Sequence, residues 1–172
     1  MPDDPEGPDV PDGPDVDSLC FSVGAAYEGD PADIGEARAL ARAFLRRAQD
    51  EHGIPVSARA REVLPLVVSE LITNACKYAP GPQFLELSTD GVGLQVALWD
   101  SSPALPLPRA ADADRIGQHG LEIVMALCEG YEVHQQPLGK RTRVRLALVD
   151  APALHLESVK PVEPEGPSVK EP

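Results

Sequence analysis

The residues that decide the fold run Val67-Val68-Ser69-Glu70-Leu71-Ile72-Thr73-Asn74-Ala75-Cys76-Lys77. Residues four and seven apart share one face of a helix, so Glu70, Asn74 and Lys77 form a polar stripe. A carboxylate can polarise a nucleophile, an amide oxygen can ligate Mg²⁺, and an ammonium can neutralise phosphate charge. A helix with this stripe could serve a metal-bound polyphosphate. The solvated side of an ordinary amphipathic helix is the alternative interpretation.

The charge of the chain is strongly negative and is concentrated at its ends. The 172 residues carry a net charge of −13, of which residues 1–17 hold −7 and residues 151–172 hold −2. The −4 left for residues 18–150 offers no basic footprint for DNA or RNA. Nucleic acid is therefore not expected to be a partner, and the length suits one domain with its own core.

Three segments are predicted along the chain. Prolines recur at every third residue from Pro2 to Pro14, interleaved with Asp, Glu and Gly, and three residues is the period of a polyproline II helix. With so little apolar content, residues 1–17 are expected to be a disordered tail, and residues 151–172 likewise. A stiff acidic docking arm is the alternative for the first segment. The folded domain is expected to span residues 18–150.

The cysteines and the hydropathy indicate a cytoplasmic protein. Cys20, Cys76 and Cys128 are far apart and form no zinc-binding pattern, so they are interpreted as core thiols in a reducing compartment. No segment reaches the roughly 18 apolar residues of a membrane helix. The N-terminus lacks the basic and apolar regions of a signal peptide, so no membrane contact is expected.

The spacing of apolar residues predicts an α+β domain. Three helices are expected, the first from a cap at Asp30 or Asp33 to about Glu51, the second from Ser57 to just before Pro80, and the third from Leu121 to Cys128. Strands are expected at 19–25, 84–88, 94–99, 131–135 and 142–149. The order predicts a two-layer α/β sandwich, with helices on one face of a mixed, mostly antiparallel sheet. Pro65 should kink the second helix or reset its start, and residues 100–116 should form a lid-like loop.

Two further segments suit a nucleotide. Asp100 ends a strand that contains the only Trp, where a carboxylate could accept a hydrogen bond from the exocyclic amine of adenine, although Asp at a strand end is also a common turn starter. Gly117-Gln118-His119-Gly120-Leu121 leads into a helix, and the free N–H groups and positive dipole at a helix start suit phosphate. Gly139-Lys140-Arg141-Thr142 enters the last strand and is explained as a hairpin turn.

Taken together, the order and spacing of these motifs resemble the GHKL ATPase fold of gyrase, heat-shock protein 90, histidine kinases and MutL. Within it, the chain resembles the small anti-sigma-factor serine/threonine-protein kinases of actinobacterial type, over about residues 18–149. The phrase from Val67 to Ala75 is close to the N-box of that family. The resemblance implies a Bergerat-type ATP-binding fold with ATP and Mg²⁺ as cofactors.

The resemblance also implies roles for individual residues. Glu70 is implied as the general base, Asn74 as the Mg²⁺ ligand and Lys77 as a phosphate-facing cation. Asp100 is implied to bind the adenine amine, with Thr142 of the final strand near the adenine. The phosphate-binding segment supplies the remaining candidates, which are Arg115, Gly117, His119, Gly120 and Leu121.

The glycine boxes depart from the family pattern. The first box, D-x-G-x-G, is Asp100-Ser101-Ser102-Pro103-Ala104 in this chain, and the second, G-x-G-L, keeps only Gly120-Leu121 with a glycine one residue early. A Cβ at position 118 would hinder the close approach of backbone to phosphate. Arg115 or His119 is the candidate for a compensating phosphate contact.

The family resemblance implies an activity and two protein partners. Mg-ATP donates its γ-phosphate to a serine of an anti-anti-sigma antagonist protein, and partner switching then frees or captures a sigma factor. A homodimer through the first strand and helix is a further option that the resemblance raises. The altered glycine boxes favour an alternative, which is a catalytically weak or inactive module that sequesters a partner. A detached histidine-kinase catalytic domain is the third interpretation, but no dimerisation helix with a phosphoacceptor His is evident.

Overall fold

The computed structural model describes residues 20–102 and 119–150. The elements follow in the order β1 (Phe21–Tyr27), α1 (Asp33–Asp50), α2 (Ala58–Tyr78), β2 (Gln83–Thr89), β3 (Gly93–Asp100), α3 (His119–Leu127), β4 (Gly130–Gln136) and β5 (Gly139–Ala147). Each helix and strand expected from the sequence is found within a few residues of its expected position. The predicted tails, 1–17 and 151–172, and most of the predicted lid loop lie outside the described residues.

The five strands form one sheet in the order β1-β2-β3-β5-β4. Each of the four strand pairings is antiparallel. The sequence analysis expected a mixed, mostly antiparallel sheet from the order of the elements. β4 does run parallel to β3, but the β4–β5 hairpin inserts β5 between them, so the described strands contain only antiparallel neighbours.

Helices cover one face of this sheet. α1 contacts β1 and β2, α2 contacts β3 and β5, and α3 contacts α2. Alternate strand residues point to the helices and are buried, among them Leu85, Leu87, Val96, Leu98 and Val144. Burial of an aliphatic side chain of this size contributes about 1.5–3 kcal/mol. In the part of the chain that the structure describes, none of the helices combines the length and hydropathy that spanning a bilayer requires.

The helix that carries the polar stripe, α2, extends through Pro65. It begins after Ser57, whose hydroxyl accepts a hydrogen bond from the backbone N–H of Ala60 at 3.0 Å. The sequence analysis had allowed that Pro65 resets the start of this helix. Pro65 instead lies inside the helix, which begins seven residues earlier at Ala58. The hydroxyl of Ser69 donates to the Pro65 carbonyl at 2.7 Å and accepts from Nε of Arg38 at 2.9 Å. These bonds fix α2 against α1 at the turn where the stripe begins.

The three cysteines differ in environment. Cys20 is exposed, whereas Cys76 and Cys128 are half-buried, so the interpretation as core thiols does not fit Cys20. Burial raises the pKa of the Cys128 thiol to about 11. Because the thiolate is the reactive form of cysteine, this environment disfavours chemistry at Cys128.

We expect iodoacetamide to alkylate Cys128 at least about tenfold more slowly than Cys20 at pH 8, because a raised pKa lowers the thiolate fraction. Peptide mass spectrometry after timed quenching measures both rates. The urea-unfolded chain is the control, and there the two rates should converge. Equal rates in the folded chain would contradict the environment described for Cys128.

Candidate functional site

Glu70 on α2 lies directly against the start of α3. Gly120, the second residue of α3, is buried, and a Cβ added to it would overlap Oε2 of Glu70 and lie 2.8 Å from its Cδ. Glycine at position 120 therefore makes room for the carboxylate. The first backbone N–H groups of a helix lack intrahelical partners, and the helix dipole favours negative charge there. The predicted N-box carboxylate and the predicted phosphate-binding helix start thus meet at one location.

Asn74 and Lys77 continue the polar stripe along α2. Asn74 is half-buried, and Lys77 is exposed in the last turn of the helix. Beside the stripe, Sγ of Cys76 lies 3.7 Å from the carbonyl oxygen of Asp30 and 3.9 Å from Nε2 of Gln83. The C-terminal end of α2 is therefore held over the start of β2, which is paired with the end of β3.

Asp100, the last residue of β3, is buried in an ion pair that the sequence analysis did not predict. Its side chain is 3% exposed, and Nζ of Lys140 lies 3.0 Å from each carboxylate oxygen. The backbone N–H of Ser102 also donates to Oδ1 at 2.9 Å. The register of β3 with β5 sets Asp100 directly opposite Lys140. The carboxylate that was predicted to accept the adenine amine is thus already neutralised by a cation of the chain itself.

Gly139 allows β5 to begin next to Asp100. The φ angle of Gly139 is +148°, and a Cβ there would overlap the carbonyl oxygen of Asp100. Apart from placing Thr142 near the adenine, the sequence analysis explained the segment from Gly139 to Thr142 as a hairpin turn. In the structure, the same segment also positions Lys140. The sequence signal for this ion pair was an aspartate and a lysine, Asp100 and Lys140, each near the end of a predicted strand.

Thr142 lies on β5 in a buried polar group with Tyr131. The pKa of Tyr131 is raised above its ordinary value, mainly by burial and next by the charge of Asp100, while a hydrogen bond with the Thr142 side chain acts in the opposite direction. Thr142 is itself buried. Asp100, Thr142 and Tyr131 therefore form one polar region on the helix-facing side of the sheet. Tyr131 is a further residue of this region that the sequence analysis did not single out.

Gln83, opposite Asp100 on β2, offers an unused hydrogen-bond acceptor. Gln83 is 3% exposed, and within the described residues its Oε1 has no hydrogen-bond partner. A buried acceptor without a donor costs about 1–3 kcal/mol, so a ligand donor there would be stabilising. Strand register places Gln83 in one row across the sheet with Asp100, Lys140 and Gln135, in that order. The end of the sheet predicted to meet adenine thus presents Gln83 as an open acceptor, beside a carboxylate that is already paired.

The remaining predicted site residues belong to the segment before and at the start of α3. Arg115 and Gly117 lie outside the described residues, and His119 is described only as the first residue of α3. Leu121 is half-buried on the same helix. Their predicted phosphate contacts stay predictions.

The polar stripe fits a magnesium ion that arrives with phosphate. Within residues 20–102 and 119–150, three or more His, Cys, Asp or Glu side chains do not cluster in a way that could hold a metal. Mg²⁺ commonly takes one or two protein oxygens and completes its shell with phosphate and water. The amide oxygen of Asn74 is a hard donor of that kind, and the carboxylate of Glu70 lies one turn away on the same face of α2. Both therefore fit the metal end of a nucleotide site.

The chain is similar to known proteins along most of its described part. The family described as Histidine kinase-like ATPase domain matches residues 28–146. No curated protein matches the chain. Solved structures of other proteins are similar to the chain. The RsbU and RsbW domains of Rv1364c from Mycobacterium tuberculosis match with 18% identity and a TM-score of 0.47, over 74% of this chain and 32% of that chain.

The second structure is the histidine kinase domain of the blue-light activated histidine kinase EL346 from Erythrobacter litoralis. It matches with 18% identity and a TM-score of 0.42, over 69% of this chain and 60% of that chain. This chain therefore spans less than two thirds of either protein.

The family match spans well over half of the chain, from the end of β1 to the end of β5. It includes the polar stripe of α2, the end of β3 at Asp100 and the start of α3 at Gly120. The family that the N-box phrase predicted is thereby confirmed. The chain belongs to the histidine kinase-like ATPase domain family.

Proposed function

We propose that the chain binds Mg-ATP between α2, the start of α3 and the end of β3, and transfers the γ-phosphate to a serine of an anti-anti-sigma antagonist protein. The observation that carries the proposal is the contact of the Glu70 carboxylate with α3 at Gly120. It brings a candidate base to a helix start, where free N–H groups suit phosphate. Membership of an ATPase family supports nucleotide as the ligand. In this proposal, transfer controls the release or capture of a sigma factor.

Each residue of the site has a role in the proposed reaction. Bound Mg-ATP supplies the phosphoryl group. Glu70 takes the proton of the attacking serine hydroxyl as general base. Asn74 gives its amide oxygen to the metal, and Lys77 neutralises phosphate charge. Asp100 is proposed to accept a hydrogen bond from the adenine amine, because an ionised carboxylate has about four lone-pair sites and its ion pair does not fill them. Gln83 offers a second acceptor beside it, since its Oε1 has no partner in the described residues.

The phosphate contacts of the proposal also draw on the segment around α3. Arg115, Gly117, His119 and Leu121 are proposed to face the phosphates together with Gly120, and Thr142 to lie near the base. Alanine substitution of Arg115 or His119 is expected to weaken nucleotide binding, which calorimetry with Mg-ADP would measure.

Binding and transfer test the proposal separately. Calorimetric titration with Mg-ATP and Mg-ADP is expected to give a dissociation constant below about 1 mM, which corresponds to about −4 kcal/mol. Radiolabelled phosphotransfer to purified candidate antagonists is expected to label a serine. An affinity weaker than that bound for both nucleotides would contradict the kinase function.

A second candidate function is favoured by the state of Asp100. Because Lys140 neutralises this carboxylate, the base end of the site differs from the pattern that the family resemblance implied. A module that sequesters its partner without turnover tolerates this change and the altered glycine boxes. The module predicts a partner affinity that nucleotide leaves unchanged. The kinase predicts an affinity that differs between Mg-ATP and Mg-ADP, so partner titrations with each nucleotide discriminate the two.

Replacing Gly120 with Ala is expected to impair transfer more than folding. The new Cβ would overlap the carboxylate end of Glu70, which is flexible and can rotate away. We therefore expect the free energy of unfolding to change by less than about 1 kcal/mol. The displaced carboxylate is expected to slow phosphotransfer by about 10²-fold, as a misplacement of about 1 Å can.

Gly35→Ala on α1 is the matched control for this prediction, because nothing lies within 4 Å of a Cβ at that position. Urea unfolding measures stability, and single-turnover labelling measures transfer. Full transfer by Gly120→Ala would show that the observed position of Glu70 is not required.

A further inference from the structure

The face of the sheet opposite the helix layer carries an ordered set of side chains that the proposed function does not use. Strand register arranges them in three rows, which together are called the open face. The first row is Ala26, Phe84, Trp99, Arg141 and His134, the second is Gly24, Glu86, Ala97, Arg143 and Glu132, and the third is Ser22, Ser88, Gln95, Arg145 and Gly130.

An aromatic platform lies in the first row of the open face. The ring centroids of Phe84 and Trp99 are 5.6 Å apart, and the guanidinium of Arg141 lies 4.5 Å from the centroid of the Trp99 ring. Phe84 is 41% exposed, and its ring lies against Gly24 on β1. Two adjacent, mutually tilted rings with a cation beside them form a surface that suits apolar rings and extended peptides.

A ladder of arginines crosses the open face along β5, formed by Arg141, Arg143 and Arg145. Within the described residues, Nε of Arg141 and Nε of Arg143 are buried and have no hydrogen-bond partner. Three arginines face two glutamates, Glu86 and Glu132, so this face is positive on a chain of net charge −13. An excess of guanidinium groups on an outward-facing surface favours an acidic occupant.

We propose that the acidic, proline-rich segment of residues 1–17 in the same chain docks on the open face. The segment holds seven acidic residues, no basic residue, and a proline at every third position from Pro2 to Pro14. Three residues per turn put the prolines on one edge and the acids on the others. Proline edges dock on aromatic platforms, and carboxylates pair with guanidinium groups. The open face supplies both kinds of partner side by side.

The chain enters β1 at a place from which this segment reaches the platform. Cys20 precedes Phe21, and strand register aligns Phe21 with the row of Leu94. From that row to Trp99 is five residues along β3 and two strands across, which is about 20 Å. The six residues from Pro14 to Cys20 span about 19 Å as polyproline II. Pro14 then comes near the platform, and the residues between Pro14 and Cys20, which include Asp15 and Asp17, pass along the face beside the ladder.

Trp99 is the only tryptophan of the chain, so its fluorescence reports whether the open face is covered. In the full chain, we change the seven acidic residues of 1–17 to their amides and measure acrylamide quenching. We expect the quenching constant of Trp99 to rise in this variant, because less of the segment stays docked. The loss of several exposed ion pairs should lower the ratio of docked to free segment roughly tenfold. The domain itself is left untouched by these substitutions.

The matched control changes the four glutamates of 151–172 to glutamine and should leave the quenching constant as it is. About 1 M NaCl, where the Debye length is about 3 Å, should expose Trp99 in the unmodified chain and have little effect on the amide variant. Equal quenching in all three chains would overturn the proposal. A second outcome would also overturn it. If dilution both exposes Trp99 and dissociates a dimer seen by light scattering, the occupant of the open face is a second copy of the chain.

Discussion

Replacing Lys140 with Met is expected to lower the free energy of unfolding by about 3–5 kcal/mol, because the Asp100 carboxylate would then stay buried without a cation. In the structure, Nζ of Lys140 lies 3.0 Å from both oxygens of a carboxylate whose side chain is 3% exposed. Among the described residues, the backbone N–H of Ser102 also donates to that carboxylate, but it cannot neutralise its charge. Urea unfolding at pH 7 measures the loss.

The double variant Asp100→Asn/Lys140→Met separates the ion pair from ordinary packing. With both charges removed, no charge is left buried and unpaired, so the double variant should recover most of the stability that the single variant loses. Lys77→Met removes an exposed lysine from α2 and should change stability by less than about 0.5 kcal/mol. A Lys140→Met variant as stable as the unmodified chain would show that the pair contributes nothing in solution.

The elements of the fold could be predicted because their signals are local. Strand alternation and helix periodicity need only neighbouring residues, and a hydroxyl such as that of Ser57 marks a helix start without reference to the rest of the fold. The first helix shows the limit of this method. Alanines occupy positions 37, 39, 41 and 43, so composition does not reveal which alanines face the core. The structure buries Ala37 and Ala41, whereas Ala39 is exposed and Ala43 is half-buried.

The site was predictable where one motif contains it and missed where distant strands build it. Glu70 and Asn74 stand four residues apart on one helix, so their common face follows from helix geometry. Asp100 and Lys140 are forty residues apart and meet because β5 inserts between β3 and β4. Register between strands that are not consecutive depends on tertiary packing, which apolar spacing does not encode. Gln83 was missed for the same reason, because its orphaned acceptor appears only once β2 is paired with β3.

Replacing Glu70 with Gln is expected to lower the phosphotransfer rate by about 10²–10⁴-fold, the usual cost of removing a general base. Glutamine has nearly the shape of glutamate and fits beside Gly120, but its amide cannot take the proton of a serine hydroxyl. Nucleotide affinity should therefore stay within a few-fold of the unmodified chain. Single-turnover labelling of the antagonist and calorimetric titration measure the two quantities independently.

Glu62→Gln is the matched control, because Glu62 is an exposed glutamate on the same helix and lies outside the predicted site. It should leave both transfer and binding unchanged. Three outcomes for Glu70→Gln then lead to different mechanisms. Loss of transfer with binding kept assigns the proton to Glu70. Loss of both would mean that the carboxylate mainly holds the metal with Asn74, since binding then fails before chemistry begins. Full transfer would place the base on another residue, and the contact between α2 and α3 at Gly120 would then serve to join two helices and not to carry a reaction.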